Sequence, residues 1–186
     1  MRKTNLRPYI IETAGPLFAW KGYGNVGINE ILKTGEIARA SFYHHFESKD
    51  ALCAAWLETL HERSVEHHDS LLDSDQAPEA ILREYFEALK AWLIENDFRG
   101  CPYTNTGTFM TDDAPAVRDA IETHKIFIRD FFIDLAMRVR PDGGRELGEC
   151  FFLLYSGATT EAQNLRATWP VDRAAEAAER LAKEKT

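Results

Sequence analysis

The chain has 186 residues, of which 45% are apolar, and its formal net charge is −8 at pH 7. That length suits one medium-sized domain or two small ones, and the apolar fraction is large enough to bury a core. No run approaches the roughly 18 to 20 uninterrupted apolar residues of a membrane helix, and the basic N-terminus leads into no apolar signal region. We therefore expect no membrane partner.

Charge is distributed unevenly along the chain. Residues 1–50 contain seven Lys or Arg against five acids, whereas residues 51–186 contain fifteen against twenty-five. A basic segment on an acidic body is typical of a protein that contacts a polyanion with one end only, although ordinary scatter of surface charge explains it equally well. The cysteines Cys53, Cys101 and Cys150 form no CxxC pair, which favours a reducing cytoplasm over a disulfide scaffold.

Apolar residues recur at helical spacing along the chain, and no segment shows the sustained alternation of a strand. A first helix around 10–18 ends at Gly22–Asn25, and a short helix around 28–32 follows. After a turn at Gly35-Glu36 and a short helix over about 37–45, Ser48 is a good N-cap for a long helix. Five more elements are predicted around 81–93, 106–110, 117–135, 145–166 and 171–184. The sequence therefore predicts an all-α fold of about nine helices.

Two short helices joined by a tight turn after a supporting helix form a helix-turn-helix arrangement. The second short helix exposes small or polar residues, namely Ala38, Arg39, Ala40, Ser41 and His44. Such a face suits a major groove about 12 Å wide, because small residues let the backbone approach and one Arg reaches bases or phosphates. A helical hairpin with a polar outer face is the alternative that this pattern leaves open.

A longer motif carries a family resemblance. The stretch FAWKGYGNVGINEILKTGEIARASFYHHFESKDAL, residues 18–52, resembles the DNA-binding domain of the TetR family of bacterial transcriptional regulators. The most restrictive part is the series FYHHF-x-SK-x-AL at its end. The resemblance implies a three-helix DNA-binding domain over residues 1–47 and a helical effector-binding and dimerisation domain over 48–186.

The resemblance also implies roles for single residues. Tyr43 and His45 would contact backbone phosphates, and Lys49 would contact a phosphate beside the helix that Ser48 caps. The N-terminal end of that helix favours an anion independently, because free N–H groups and the helix dipole meet a lysine there. Phe42 and Phe46 would be core residues, and the predicted DNA-binding set is Arg39, Ala40, Ser41, Tyr43, His44, His45 and Lys49.

Three positions depart from the family pattern. Where the family usually has a glycine in the turn, this chain has Glu36, so we expect either Gly35 to take any left-handed conformation or Glu36 to adopt an ordinary turn. Val26-Gly27 replaces a Ser or Thr that often contacts phosphate, unless Asn25 supplies that contact. Gly15-Pro16 is expected to bend or loosen the first helix.

Beyond residue 99, the stretches RGCPYTNTGTF and APAVRDAIETHKIFIRDFF resemble the ligand-binding body of one TetR subgroup. In that family the fourth to seventh helices enclose a small-molecule cavity. The aromatic residues of this chain are numerous enough to line a pocket for an apolar or aromatic effector, although an aromatic residue at helical spacing, taken alone, is more often a plain core residue. The predicted pocket residues are Trp56, Phe86, Trp92, Tyr103, Phe109, His124, Phe127 and Phe131.

Some residues invite other chemistry. His61, His67 and His68 suggest a metal site, but adjacent residues on a helix point about 100° apart, so a solvated polar face is expected, with no metal and no cofactor. Cys101 lies in a Gly-Cys-Pro bend and is a candidate redox residue, with Arg99 as its only cation nearby in sequence. A buried, unreactive thiol is the alternative.

Small residues near the C-terminus predict close helix packing. Gly157, Ala158 and Ala162 interrupt an apolar face, and the last helix is rich in alanine. Packing within one chain explains this, and so does the two-fold interface that the resemblance implies. We expect a homodimer through residues about 145–184.

Together these features predict a ligand-responsive DNA-binding regulator in the cytoplasm, a repressor released from a palindromic operator in double-stranded DNA by a small molecule. No phosphate loop, HExxH or Gly-x-Ser-x-Gly motif indicates an enzyme. Two alternatives remain: a thiol-based redox regulator on the same scaffold, and a dimeric helical adaptor that has lost DNA binding.

Overall fold

The computed structural model describes residues 5–110 and 114–184. Arg2 and Lys3, which contribute to the basic N-terminal segment, lie outside the described residues. Within the described ranges the fold is all-α, with nine α-helices, one 3-10 turn and no strand, as predicted. The helices are α1 Leu6–Lys21, α2 Ile28–Thr34, α3 Arg39–His45, α4 Lys49–Leu72, α5 Pro78–Glu95, α6 Pro102–Thr108, α7 Pro115–Val139, α8 Gly144–Leu165 and α9 Trp169–Lys183.

The first helix is continuous through Pro16, and the bend or loosening expected at Gly15-Pro16 stays a prediction. Gly15 allows close packing. A Cβ atom at this position would lie 2.8 Å from the indole Nε1 of Trp56. Glycine therefore allows the Trp56 ring of α4 to pack directly against the α1 backbone.

The turn between α2 and α3 corrects the predicted geometry of Gly35 and Glu36. Glu36 is the left-handed residue, with φ of 50°, whereas Gly35 has a φ of −91° that any residue tolerates. Gly35 is required for space, because a Cβ atom there would lie 2.5 Å from Cδ1 of Ile37 and 3.1 Å from Cγ2 of Thr13. The hydroxyl of Tyr9 donates a hydrogen bond of 3.1 Å to the Gly35 carbonyl and ties the turn to α1.

The predicted cap of α4 is confirmed. The Ala51 N–H donates to Oγ of Ser48 at 3.0 Å, which satisfies one of the amide donors that a helix start leaves unpaired.

A single 3-10 turn, Tyr23–Asn25, lies between α1 and α2, and we call it the Tyr23 turn. It begins after Gly22, which has a φ of 82°.

Two boundaries differ from the sequence prediction because proline starts a helix well. The short element expected around 106–110 begins earlier, at Pro102, and Trp169-Pro170 opens α9 rather than separating it from α8. A proline in the first turn of a helix lacks an N–H that would be unpaired there in any case.

The described chain forms two compact units. The first takes in the chain up to Ser64 together with Pro102–His124, and the second takes in Val65–Cys101 and the chain from Lys125 onward. The predicted boundary between residues 47 and 48 divides the chain by role rather than by compactness, and it stays a prediction.

The core of the second unit is built from α5, α7, α8 and α9. Two glycines allow α8 to approach α7 closely. A Cβ atom on Gly148 would lie less than 3.0 Å from the Ile133 backbone, and one on Gly144 would meet Met137 in the same way. Backbone contact at this distance leaves no room for any side chain.

Candidate functional site

One face of α3 is exposed and the other is buried, as the helix-turn-helix interpretation requires. Phe42 is fully buried and Phe46, directly after the helix, is nearly so. Tyr43 stands exposed, with its ring edge-on to Phe42 at a centroid distance of 5.3 Å. The guanidinium of Arg7 lies 5.1 Å from the centre of the Phe46 ring. The buried side chains of Phe42 and Phe46 therefore anchor α3 to the other helices of the segment formed by α1, α2 and α3, which we call the head.

The predicted groove-facing residues are brought to one surface. Arg39, Ala40 and His44 are exposed, whereas Ser41 and His45 are half-buried. The guanidinium of Arg39 donates a hydrogen bond to Oδ1 of Asn29 on α2. This contact holds the long side chain at the start of α3, so Arg39 is already oriented across the helix pair.

Lys49 makes contacts that the sequence did not predict. Its ammonium group donates a 3.0 Å hydrogen bond to the carbonyl of Tyr23 and lies 4.2 Å from the centre of the Tyr23 ring. The hydroxyl of the same tyrosine donates to the carboxylate of Asp50. Burial, and then this carboxylate, raise the pKa of Tyr23, so the phenol stays neutral at ordinary pH. Tyr23 therefore joins the Tyr23 turn to the first turn of α4.

The start of α2 has no side-chain cap. Gly27 is the N-cap residue, and Val26 is buried. The side-chain amide of Asn25 donates at 2.9 Å to the Lys21 carbonyl at the end of α1. Asn25 therefore caps α1, and whether it also contacts phosphate stays a prediction.

The predicted pocket residues divide between the two compact units. In the first unit, Trp56 packs against Phe18 with ring centres 5.6 Å apart, Tyr103 is buried, and Phe109 is 53% exposed. In the second unit, Phe86 and Phe131 belong to the hydrophobic core, with Trp92 and Phe127 partly buried against it. Their role in binding an effector stays a prediction.

His124 is the eighth predicted pocket residue, and it is buried in the first unit. Its ring stacks on Tyr103 with centres 3.6 Å apart, and its Nδ1 lies 3.3 Å from Nδ1 of His61. The Tyr103 hydroxyl donates at 2.9 Å to the carbonyl of Leu57 on α4. The sequence does not reveal this cluster, because its members are far apart in the chain.

The prediction that His61, His67 and His68 form a solvated polar face is wrong for His68, which is buried. Its side chain is only 4% exposed, and its Nε2 lies 2.9 Å from the hydroxyl of Tyr85. The rings of Phe127 and Phe131 contact it edge-on at 5.3 and 4.5 Å. His67 is exposed as expected, whereas His61 is half-buried against His124. Among the described residues, no group of three or more His, Cys, Asp or Glu is placed to hold a metal.

Cys101 has a cation that the sequence did not reveal. The ammonium group of Lys125, on α7, lies 3.7 Å from Sγ of Cys101, so Arg99 is not its only candidate partner. Cys101 is half-buried, Cys150 is exposed, and Cys53 is buried. Burial, and then the Asp50 carboxylate, raise the pKa of the Cys53 thiol to about 12.

The outer surface of α8 and α9 carries a shallow apolar groove. Leu153 is 66% exposed and Trp169 is 56% exposed on its rim, and a Cβ atom on Gly157 would meet nothing within 4 Å. The other small residues pack within the chain: Ala158, Ala162, Ala174, Ala178 and Ala182 are buried in the core of the second unit. Packing within the chain therefore explains these alanines, and the two-fold interface stays a prediction.

Comparison with known proteins identifies the family. A family model for "Bacterial regulatory proteins, tetR family" matches residues 10–56. The transcriptional regulator AcuR of Cereibacter sphaeroides is 30% identical to this chain over 157 residues, which cover 77% of this chain and 69% of AcuR. The chain belongs to the TetR family. The TetR family is not a family of enzymes, in agreement with the sequence-based expectation.

Other TetR-family relatives support the fold. The transcriptional repressor NemR of Escherichia coli is 28% identical over 118 residues, which are 62% of this chain but span only 59% of NemR. The crystal structure of reduced NemR superposes with a TM-score of 0.81 at 21% identity, covering 94% of this chain and 95% of that one. SCO4454 of Streptomyces coelicolor gives a TM-score of 0.84 at 23% identity, covering 95% and 94%. At such identities these structures show the TetR-type fold alone.

Among the described helices, none combines the length and the apolar composition of a membrane span.

Proposed function

We propose that this TetR-family chain is a ligand-responsive transcriptional repressor that binds a palindromic operator as a homodimer and is released by a small-molecule effector. It acts in the cytoplasm, where its DNA lies. Effector binding favours a conformer in which the two recognition helices are wrongly spaced, and it does so only if it binds that conformer more tightly.

The observation that carries the proposal is the exposed face of α3 above its buried aromatic pair. Arg39, Tyr43 and His44 project from a helix that Phe42 and Phe46 hold in the head. A short helix with a rigid base and small neighbouring side chains is what entry into a major groove requires.

Selection of bound duplexes from a random pool at low salt tests the proposal. We expect an enriched palindrome whose half-sites are about one helical turn apart, and affinity that falls steeply as salt rises. Arg39→Ala should change the enriched bases, whereas Arg63→Ala, an equal loss of charge at an exposed position of α4, should leave them unchanged. Recovery of no palindrome would favour the adaptor that has lost DNA binding.

The salt dependence of binding by Lys49→Ala distinguishes two possible roles of Lys49, a phosphate contact and a contact that holds the Tyr23 turn. If it contacts a phosphate, Lys49→Ala lowers the slope of log affinity against log salt by about 0.9, and does so for every sequence alike. If it only holds the Tyr23 turn through the Tyr23 carbonyl, the same variant lowers affinity at an unchanged salt slope. We propose the phosphate contact and expect the change in slope.

The groove on α8 and α9 supports the homodimer. Its apolar rim, with Leu153 and Trp169 more than half exposed, suits a two-fold contact in which each copy presents the same patch. Sedimentation of the wild type should give a dimer and Leu153→Glu a monomer with unchanged helix content. A wild-type monomer at micromolar concentration would contradict this part of the proposal.

The effector is proposed to be a small apolar or aromatic molecule. The support is the composition of the predicted pocket set, in which seven of the eight residues are Phe, Trp or Tyr. A panel of such compounds should contain one that lowers operator affinity, while a matched panel of sugars should contain none.

A second candidate input is thiol oxidation at Cys101, which the Lys125 contact favours. An ammonium group 3.7 Å from a half-buried thiol is one of the environments in which cysteines react. Under this alternative, oxidant weakens operator binding by the wild type and by Cys150→Ser, but not by Cys101→Ser. Equal loss in all three proteins would eliminate the alternative.

A further inference from the structure

The Tyr23 turn contains a glycine that its backbone conformation does not require. Gly22 has a φ of 82°, which favours glycine, but Gly24 is not among the residues with positive φ. What Gly24 provides is room for a residue from α6. A Cβ atom on it would lie 3.2 Å from Cβ of Phe109, 3.3 Å from its Cγ and 3.4 Å from its Cδ1.

Phe109 lies directly after α6 and packs on Gly24 within the Tyr23 turn and on Gly22 just before it. Its Cε2 atom would lie 3.9 Å from a Cβ atom on Gly22, so the ring extends along the turn. The residue is nevertheless 53% exposed, which is high for a phenylalanine that makes such close contacts. Because half of its surface stays in water, its contribution to the stability of the core is small.

The other end of α6 is fixed by Tyr103. This residue is buried, donates a hydrogen bond to the Leu57 carbonyl of α4, and stacks on His124 of α7. Within the first compact unit, α6 therefore connects a buried contact with α4 and α7 at one end to the Tyr23 turn at the other.

The Tyr23 turn is also linked to the start of α4. The carbonyl of Tyr23 accepts a hydrogen bond from Lys49, and the hydroxyl of Tyr23 donates one to Asp50. Lys49 belongs to the predicted DNA-binding set, so any displacement of the turn displaces the carbonyl that holds this ammonium group.

We propose that Phe109 is a positioning residue for DNA binding: by resting on Gly22 and Gly24, it sets the Tyr23 turn and thereby the position of Lys49. The inference rests on the proposed DNA-binding role of the head. Through the contact of Phe109 with the Tyr23 turn, a shift of α6 changes the position of Lys49. Because coupling between two sites is reciprocal, operator binding then also changes the position of α6.

Hydrogen exchange on the 186-residue chain without DNA tests whether Phe109 supports the Tyr23 turn. The amides of Asn25 and Val26 donate to the Gly22 and Tyr23 carbonyls at 3.1 and 3.4 Å, so they report the integrity of the turn. Phe109→Ala should speed their exchange, Phe109→Leu should largely restore protection, and Thr104→Ala, at an exposed position of α6, should have no effect. Unchanged exchange in Phe109→Ala overturns the inference whether or not an operator exists.

Operator affinity then tests the consequence. Phe109→Ala should weaken binding of the selected duplex roughly tenfold, a typical size for coupling between sites, and should lower the salt slope by up to the roughly 0.9 expected for Lys49→Ala, because the contact that Phe109 positions is the Lys49 phosphate contact. Gly24→Ala, which places a methyl group against the ring, should weaken binding in the wild type but have little further effect in the Phe109→Ala background. Additive effects overturn the inference, whereas a wild type that selects no duplex overturns the proposed function instead.

Discussion

Replacement of Glu36 by glycine should stabilise the protein, because Glu36 occupies a left-handed backbone conformation. Its φ of 50° costs an L-residue roughly 1 to 2 kcal/mol relative to a right-handed conformation. Glycine avoids that cost but loses about 0.5 to 1 kcal/mol more backbone entropy on folding. The difference between the midpoints of these two ranges predicts a gain of about 0.7 kcal/mol for Glu36→Gly.

Urea unfolding followed by circular dichroism measures this gain, which corresponds to a rise in Tm of roughly 1 to 4 °C for a chain of this size. Glu36→Ala is the matched control, because it removes the same carboxylate but keeps the Cβ atom and the strained conformation. We expect no gain from alanine. If alanine and glycine stabilise equally, the side chain of Glu36 rather than its backbone is responsible, and the reasoning is wrong.

Three further predictions follow from packing and ionisation. Gly148→Ala should destabilise the fold by about 1 to 3 kcal/mol or more, because its Cβ atom would collide with the Ile133 backbone, whereas Gly157→Ala should leave urea stability equal or higher. Ser48→Ala should cost about 1 kcal/mol in the same assay through loss of the α4 cap, with Ser70→Ala, exposed on the same helix, as a neutral control. The pKa of Cys53 is raised from 9.0 to about 12, so the unfolded thiol loses its proton first and stability should fall as pH rises from about 9 towards 12. Urea midpoints that stay constant over that range, or a fall unchanged in Cys53→Ala, would contradict this last prediction.

The sequence predicted the helices well because each carries its own local signals. The apolar stripe of α7 repeats at helical spacing over its whole length, and Ser48 marks the start of α4 by a side chain that caps it. These signals depend on neighbours within one or two helical turns. A helix of this kind is therefore readable without knowledge of what it packs against.

The turn at Gly35-Glu36 shows where local reasoning fails. Glycine is the usual residue for a left-handed conformation, so its presence at position 35 suggested that any such conformation would lie there. The glycine is instead required by Ile37 and Thr13, whose side chains fill the space next to it. The left-handed conformation is adopted by Glu36 instead. Only the packed structure shows that position 35 is constrained by space and position 36 by its backbone conformation.

The candidate site was predictable where it lies on one helix and not where it joins several. Arg39, Ala40 and His44 are exposed on α3 as predicted, whereas Ser41, which was also predicted to be exposed, is half-buried. The contacts of Cys101 with Lys125 and of His61 with His124 join residues that are 24 and 63 positions apart. No periodicity relates such residues, because their proximity depends on how helices pack.

Lys49 illustrates how a family motif and a physical contact combine. The motif implies a phosphate contact, whereas the structure places the ammonium group on the Tyr23 carbonyl and ring. These two roles are compatible, because a lysine ammonium has three donors and the carbonyl uses one. A free lysine loses up to about 2 kcal/mol of side-chain entropy when it is immobilised, and a lysine that Tyr23 already holds has lost part of it before DNA arrives. The Tyr23 contact therefore favours phosphate binding by Lys49, provided that the turn stays in place.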